Sequence, residues 1–109
     1  MVFFKLQVKV PFAKRAEAVE LFNTFIGPVL VMPGLIGAGF YDEVEGDEMV
    51  LMEEWRSQKD MERHLCSEEF KNVLAVMDFA EEQPEIHFHT VSSTRGLEWL
   101  KQLRLSATR

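Results

Sequence analysis

Hydrophobic and polar residues alternate along this chain with a period that changes several times, and each change marks an element. From Phe4 to Val10, the side chains of Phe4, Leu6, Val8 and Val10 fall on one face and Lys5, Gln7 and Lys9 on the other. That period of two is the pattern of a half-buried strand, and Pro11 closes it. Between Lys14 and Ile26 the period lengthens: Ala18, Val19, Phe22, Phe25 and Ile26 recur at helical spacing against Lys14, Arg15, Glu17 and Glu20. The regular course of this amphipathic helix is expected to stop at Gly27, because the residue before a proline is steered out of the helical region, with Pro28 able to open one extra turn. Pro33-Gly34 signals a turn. Ile36, Ala38, Phe40 and Asp42 then alternate with Gly37, Gly39, Tyr41 and Glu43, and the glycines on one face leave backbone open for a bulge or a close neighbour. Glu45-Gly46-Asp47 turns the chain into a returning strand, Met49 to Trp55, so that the two strands form a hairpin.

Ser57 stands before Asp60, and Ser67 before Glu68-Glu69, at the spacing with which a serine accepts hydrogen bonds from the orphan amides of a helix start. Two short helices are therefore predicted. In the second, Phe70, Val73, Leu74 and Met77 form an apolar stripe that must face a core. In the first, Met61 and Leu65 share a stripe with His64, which places an imidazole on or beside the inward face. Gln83-Pro84 ends the helical region, and Glu85 to Val91 alternates again, with Ile86, Phe88 and Thr90 opposite His87, His89 and Val91. Ser92-Ser93-Thr94 is expected to cap a tail helix that carries Leu97, Trp99, Leu100 and Leu103.

The order β-α-β-β-α-β is α+β and ferredoxin-like: a four-stranded antiparallel sheet with its helices on one face. The other face lacks cover. Because the hairpin carries apolar residues on both faces, Met49, Leu51 and Trp55 against Val50 and Met52, a homodimer with the bare faces packed together is expected. The apolar tail helix would then be an arm lying on the partner.

Composition narrows the function. At 109 residues, 47% apolar and 28% charged, residues 1–109 read as one ordinary globular domain. A formal charge of −6 opposes a surface that tracks phosphates, so nucleic acid is excluded as a partner. The uncharged run from Phe25 to Tyr41 is broken by Gly27-Pro28, Pro33-Gly34, Gly37 and Gly39, and falls short of the roughly 18 apolar residues of a membrane span. No membrane partner is expected. The N-terminal residues lack a basic lead and a cleavage site, so no signal peptide is read there. A single cysteine, Cys66, allows no intrachain disulfide, which suits a reducing, cytoplasmic setting, and it reads as a small buried filler.

Few side chains offer chemistry. Glu53, Glu54, Glu62, Glu68 and Glu69 read mostly as a solvated acidic face, and no Gly-rich phosphate loop or Ser-His-Asp order occurs. His87 and His89 share a strand face about 7 Å apart, which is either the beginning of a metal site or plain alternation of polar residues. His64 is the residue to explain, since imidazole is the side chain that changes charge near neutrality. It suits a structural or rim role as well as a catalytic one, and Trp55 suits a sheet anchor as well as a site wall. Phe22, Phe25 and Ile26 read as core, and Trp99 as a contact between subunits.

At Glu54-Trp55-Arg56-Ser57, His64-Leu65, Ser67, Phe70 and Pro84-Glu85-Ile86, the chain resembles the antibiotic biosynthesis monooxygenase family of the dimeric α/β-barrel superfamily. In that family a strand ending in Glu-x-Trp runs into a helix with His-Leu, then Ser-x-x-Phe, and a Pro-Glu or similar pair introduces the last strand. The resemblance covers nearly the whole chain, including Pro33-Gly34. It implies a quinol-monooxygenase-like reaction without metal, flavin or other cofactor: a small electron-rich aromatic, an anthrone or quinol, is deprotonated, its anion passes an electron to O₂, and the radicals recombine. It also implies a site, with His64 as base, Glu54 orienting the imidazole, Trp55, Phe70, Phe40 and Tyr41 flanking the ring, and Leu74 and Met77 lining the wall.

The haem-degrading branch of that superfamily shares the frame but places a tryptophan where this chain has His64 and its iron-binding histidine where this chain has Leu74. Its first-strand asparagine is also missing, Gln7 being the nearest amide. Leu74 cannot ligate iron, so haem degradation is set aside. The same frame serves proteins of other kinds. A non-catalytic dimeric binding or stress-related module, and an isomerase or decarboxylase using His64 without oxygen, stay open beside the monooxygenase.

Overall fold

In the structure, a computed structural model that describes residues 1–107, the elements run β1 (Val2–Lys9), α1 (Phe12–Leu30), β2 (Leu35–Asp42), β3 (Glu48–Trp55), α2 (Gln58–Leu65), α3 (Lys71–Asp78), β4 (Glu85–Thr90) and α4 (Leu97–Ala107). The strands form one four-stranded sheet in the order β2-β3-β1-β4, and every neighbouring pair is antiparallel. This is the α+β, ferredoxin-like arrangement, with an extra C-terminal helix. No helix among the described residues is long and apolar enough to cross a membrane.

Strand parity decides what the core contains. β1 pairs with β3 so that Val2 lies opposite Trp55, Leu6 opposite Leu51 and Val8 opposite Met49. All six are buried, together with Phe4 and Val10, against Ala18, Phe22, Phe25 and Val29 of α1 and Val73 and Val76 of α3. The sheet's other face carries Phe3, Lys5, Gln7, Val50, Met52, Glu54 and Tyr41, and among the described residues no helix packs on it as α1 and α3 pack on the core face. β2 reaches the correct parity only after a register shift between Leu35 and Gly37. The irregularity turns Leu35, Ala38 and Phe40 toward the core and leaves Ile36 outside, 48% exposed, against the simple alternation expected there.

Several local expectations are corrected. α1 does not stop at Gly27 but continues through Pro28 to Leu30. Gly27 and Pro28 lie on the exposed side while Phe25 and Val29 are wholly buried, so the packing of Val29 outweighs the amide hydrogen bond that proline cannot make. Ser57 caps α2 as expected, its Oγ accepting from the amide of Asp60 at 3.2 Å. Ser67 does not cap α3. Its hydroxyl donates back to the carbonyl of His64 at 2.6 Å, closing the end of α2, and α3 begins only after Phe70 with no side-chain cap. α3 is consequently turned so that Phe70, Val73 and Val76 face inward and Leu74 is 47% exposed. Cys66 follows the last turn of α2 on its outer side and is exposed, not buried. α4 begins at Leu97, too late for Ser92-Ser93-Thr94 to cap it, and the amides of Trp99 and Leu100 donate instead to the carbonyl of Gly96.

Every residue of β4 and of α4 is exposed in the single chain. Ile86 and Phe88 extend the core face of the sheet beyond the helices, and Leu97, Trp99, Leu100 and Leu103 lie open on α4. The Arg95 guanidinium lies 5.3 Å from the Trp99 ring.

The burial pattern separates two phenylalanines of the same helix. Phe22→Ala should cost about 3–5 kcal/mol through lost packing and a residual cavity. Phe12→Ala, at a position 89% exposed, should stay within about 0.5 kcal/mol. Urea unfolding at one protein concentration reads both, and equal midpoints would show that α1 is not seated as described.

Candidate functional site

The sequence places β3 and α2 in immediate succession, and the Ser57 cap fixes where the helix starts. The Ser57 hydroxyl also donates to Asp60 Oδ2 at 2.9 Å, which locks the first turn. The last turn of α2 then lies over the C-terminal end of β3. His64 points down from that turn onto Trp55, their rings stacked at 4.9 Å and 29°. Phe25 of α1 closes one side at 5.4 Å, and Phe70 meets the imidazole edge-on at 5.4 Å and 82°. The histidine side chain has no solvent exposure.

Its polar atoms need partners in that surrounding, because an unpaired nitrogen or carboxyl in an apolar core is costly. Glu53, two residues before Trp55 and on the same strand face, supplies them. Its Oε2 lies 3.0 Å from His64 Nε2, and its Oε1 accepts from Trp55 Nε1 at 2.9 Å. Glu53 and His64 are the buried polar or charged residues among those described. A carboxylate can only accept, so a neutral imidazole in this bond carries its hydrogen on Nε2 and its lone pair on Nδ1. Nδ1 faces Met32 Sδ at 3.3 Å.

Beside this cluster a cleft of about 220 Å³ opens between the α1–β2 turn and α2, lined by Met32, Pro33, Trp55, Asp60, Arg63, His64 and Ser67. It is smaller than the roughly 300–1,000 Å³ of pockets that take drug-sized ligands, which favours a compact ring system. A larger cleft of about 330 Å³ lies between α2 and β4, but its walls hold no buried titratable group. The arrangement can do one thing chemically: a lone pair on Nδ1, backed by a carboxyl on Nε2, can take a proton from a hydroxyl brought to the cleft floor, and Glu53 then stabilises the imidazolium.

The sequence profile of the antibiotic biosynthesis monooxygenase family matches residues 1–76. The chain belongs to that family. An uncharacterized protein of Synechocystis sp. is 31% identical over 92 residues, a stretch that is 83% of this chain, and the chain spans 63% of that relative's length. Among solved structures, Rv0793 from Mycobacterium tuberculosis superposes with a TM-score of 0.78 at 20% identity, covering 87% of this chain and 98% of that one. SnoaB, a cofactor-independent oxygenase from Streptomyces nogalater, superposes with a TM-score of 0.70 at 21% identity, covering 85% and 94%. At such identities the likeness shows the shared fold.

Within this family frame the residues expected at the site fall into two groups. His64, Trp55 and Phe70 come together. Phe40 packs on Phe22, ring centroids 5.1 Å apart, under α1 and away from the imidazole. Met77 packs against the general core, and Leu74 points outward. Tyr41 is 61% exposed on the opposite sheet face, paired with Val50.

Glu54 also lies on that opposite face, and the carboxylate that holds His64 is Glu53. The correction follows from parity: in a strand, residues two apart share a face and adjacent residues do not. Glu-x-Trp itself puts the family glutamate at Glu53, so the signal was in the motif. Met32 carried no such signal, because its position depends on how the turn after α1 folds. His87 and His89 stack at 6.0 Å on exposed β4, and among the described residues no group of three or more His, Cys, Asp or Glu is placed to hold a metal ion.

The two adjacent glutamates should behave differently. Glu53→Ala leaves His64 and Trp55 without their buried partner and should cost about 3 kcal/mol or more. Glu54→Ala should cost less than about 1 kcal/mol. Thermal melts of the two variants at matched concentration check this, and a reversed order would contradict the assigned strand parity.

Proposed function

We propose that this protein is a cofactor-independent monooxygenase that oxidises a small electron-rich hydroxyaromatic with O₂. His64 is the base and Glu53 its positioning residue. The observation that carries the reading is the Glu53–His64–Trp55 network: a buried imidazole beside a cleft, oriented from one side by a carboxylate, with its other nitrogen against Met32 of the cleft wall. Family membership supports the reaction class. The substrate hydroxyl gives its proton to Nδ1, and the anion transfers one electron to O₂ to give superoxide. Recombination of the two radicals forms a carbon–oxygen bond, and the imidazolium returns its proton to the peroxide anion. Loss of water from the resulting hydroperoxide leaves a carbonyl, so one oxygen atom enters the product and the other leaves as water. The 220 Å³ volume favours a quinol with one or two rings over a three-ring anthrone.

The reading includes a cytoplasmic homodimer. The uncovered sheet face, with Phe3, Val50, Met52 and Tyr41, supplies a self-complementary apolar surface of the kind that two-fold dimers bury, and α4, exposed throughout, is the arm that reaches the partner. A second reading, a binding module without turnover, draws its support from the complete enclosure of the imidazole.

Oxygen-electrode measurements with reduced menadione separate these. The monooxygenase reading expects uptake that His64→Ala lowers by about 100-fold or more. Stoichiometric binding without uptake favours the module, and conversion that persists without oxygen favours an isomerase or decarboxylase. For the assembly, light scattering of the wild type at micromolar concentration should give twice the monomer mass, and Met52→Asp on the bare face should reduce it to the monomer. A monomeric wild type would end the dimer proposal.

A further inference from the structure

We propose that Met32 is a removable cap on His64, and that the protein is shut until a planar hydroxyaromatic displaces its thioether from Nδ1. The identity of the ligand rests on the oxygenase reading above; the cap rests on geometry alone. His64 has no solvent exposure although it borders a cleft, and the group on Nδ1 is Met32 Sδ at 3.3 Å. A thioether has no hydrogen to donate, so in the neutral ring, with its hydrogen on Nε2 toward Glu53, the Nδ1 lone pair is covered but not hydrogen-bonded. A hydroxyl arriving at that point makes the bond that sulfur cannot make.

The surrounding structure leaves the Met32 side chain as the part that moves. Its backbone is fixed: the Met32 amide donates to Val29 O at 3.1 Å, its carbonyl accepts from the Leu35 amide at 3.3 Å, and Gly34 O accepts from the Arg56 amide at 2.8 Å. Gly34 has a φ of 85°, and a Cβ there would collide with the Asp60 carboxylate, so the turn is seated directly against α2. Trp55, Phe25 and Phe70 are buried and cannot yield the ring's other sides. Met32, by contrast, is only partly buried, has an unbranched side chain with several rotatable bonds, and sits at the cleft wall. Swinging it into the cleft mouth exposes Nδ1 without disturbing the Glu53 bond. The empty protein thus keeps water off its base, and the ligand that fills the cleft uncovers it.

Carbethoxylation of His64 by diethyl pyrocarbonate, followed by peptide mass spectrometry and normalised to N-acetylhistidine, reads the cap directly. Wild-type His64 should react slowly, Met32→Ala should react at least about tenfold faster, and Met32→Leu, which keeps the bulk, should stay near wild type. Circular dichroism confirms that the variants are folded. In the wild type, 1-naphthol serves as the probe: its binding should shift the ¹⁵N resonance of His64 Nδ1. Equal reactivity of folded Met32→Ala and wild type, or 1-naphthol binding that leaves that resonance unmoved, overturns the cap. A faster-reacting Met32→Ala without oxygen uptake in either protein keeps the cap and removes the oxygenase. Oxygen uptake with His64 equally shielded in both does the reverse.

Discussion

A carboxyl group placed inside an apolar core has to be matched atom by atom, and Glu53 sets that condition for this molecule. Both of its oxygens are used, one by the Trp55 indole and the other by His64, and neither side chain has any exposure. The cost of leaving either group unpaired exceeds what a single buried aliphatic contact contributes, so the core tolerates few other arrangements of β3 against α2. An apolar core of the same size could slide by a rotamer or a partial helical turn. This one is held in register by the Glu53–His64 hydrogen bond, and the Trp55 bond within β3 holds the carboxyl that makes it.

The remaining elements are arranged around that constraint. The Ser57 cap starts α2 directly after β3, and the Ser67 hydroxyl closes its end by taking the His64 carbonyl, so the helix has the length that brings the imidazole over Trp55 and no more. α1 supplies Phe25 from above, and its unbroken run through Pro28 carries the chain far enough to deliver Met32 to the open nitrogen. The turn at Pro33-Gly34 sits against α2, so a single local structure is both the end of the helix and the wall of the cleft.

The sheet divides the labour of its two faces. The helix side holds the core and every group capable of proton transfer at the buried cluster. The bare side and the last two elements hold apolar surface that the single chain leaves open. β4 lies at the sheet edge, and every residue of β4 and α4 is exposed. Two solved structures with about one fifth of their residues in common with this chain share its fold, at TM-scores of 0.70 and 0.78.

The order of strands and helices, the α+β topology and the inward placement of His64 were legible in the sequence, because they depend on periodicity and on side-chain signals at fixed offsets from one another. So was Glu53, in principle, through strand parity with Trp55, although the adjacent Glu54 is chemically identical and only the face distinguishes them. The outward turn of Leu74 was not legible: Ser67 had two possible partners, the amides ahead of it or the carbonyl behind, and only the packed structure chose the second. The same holds for the shift at Leu35 and for the passage of α1 through Pro28. Met32 over Nδ1 was the least accessible of all, since a residue in a turn has no period, and its neighbours are set by where the surrounding helices and strands come to rest.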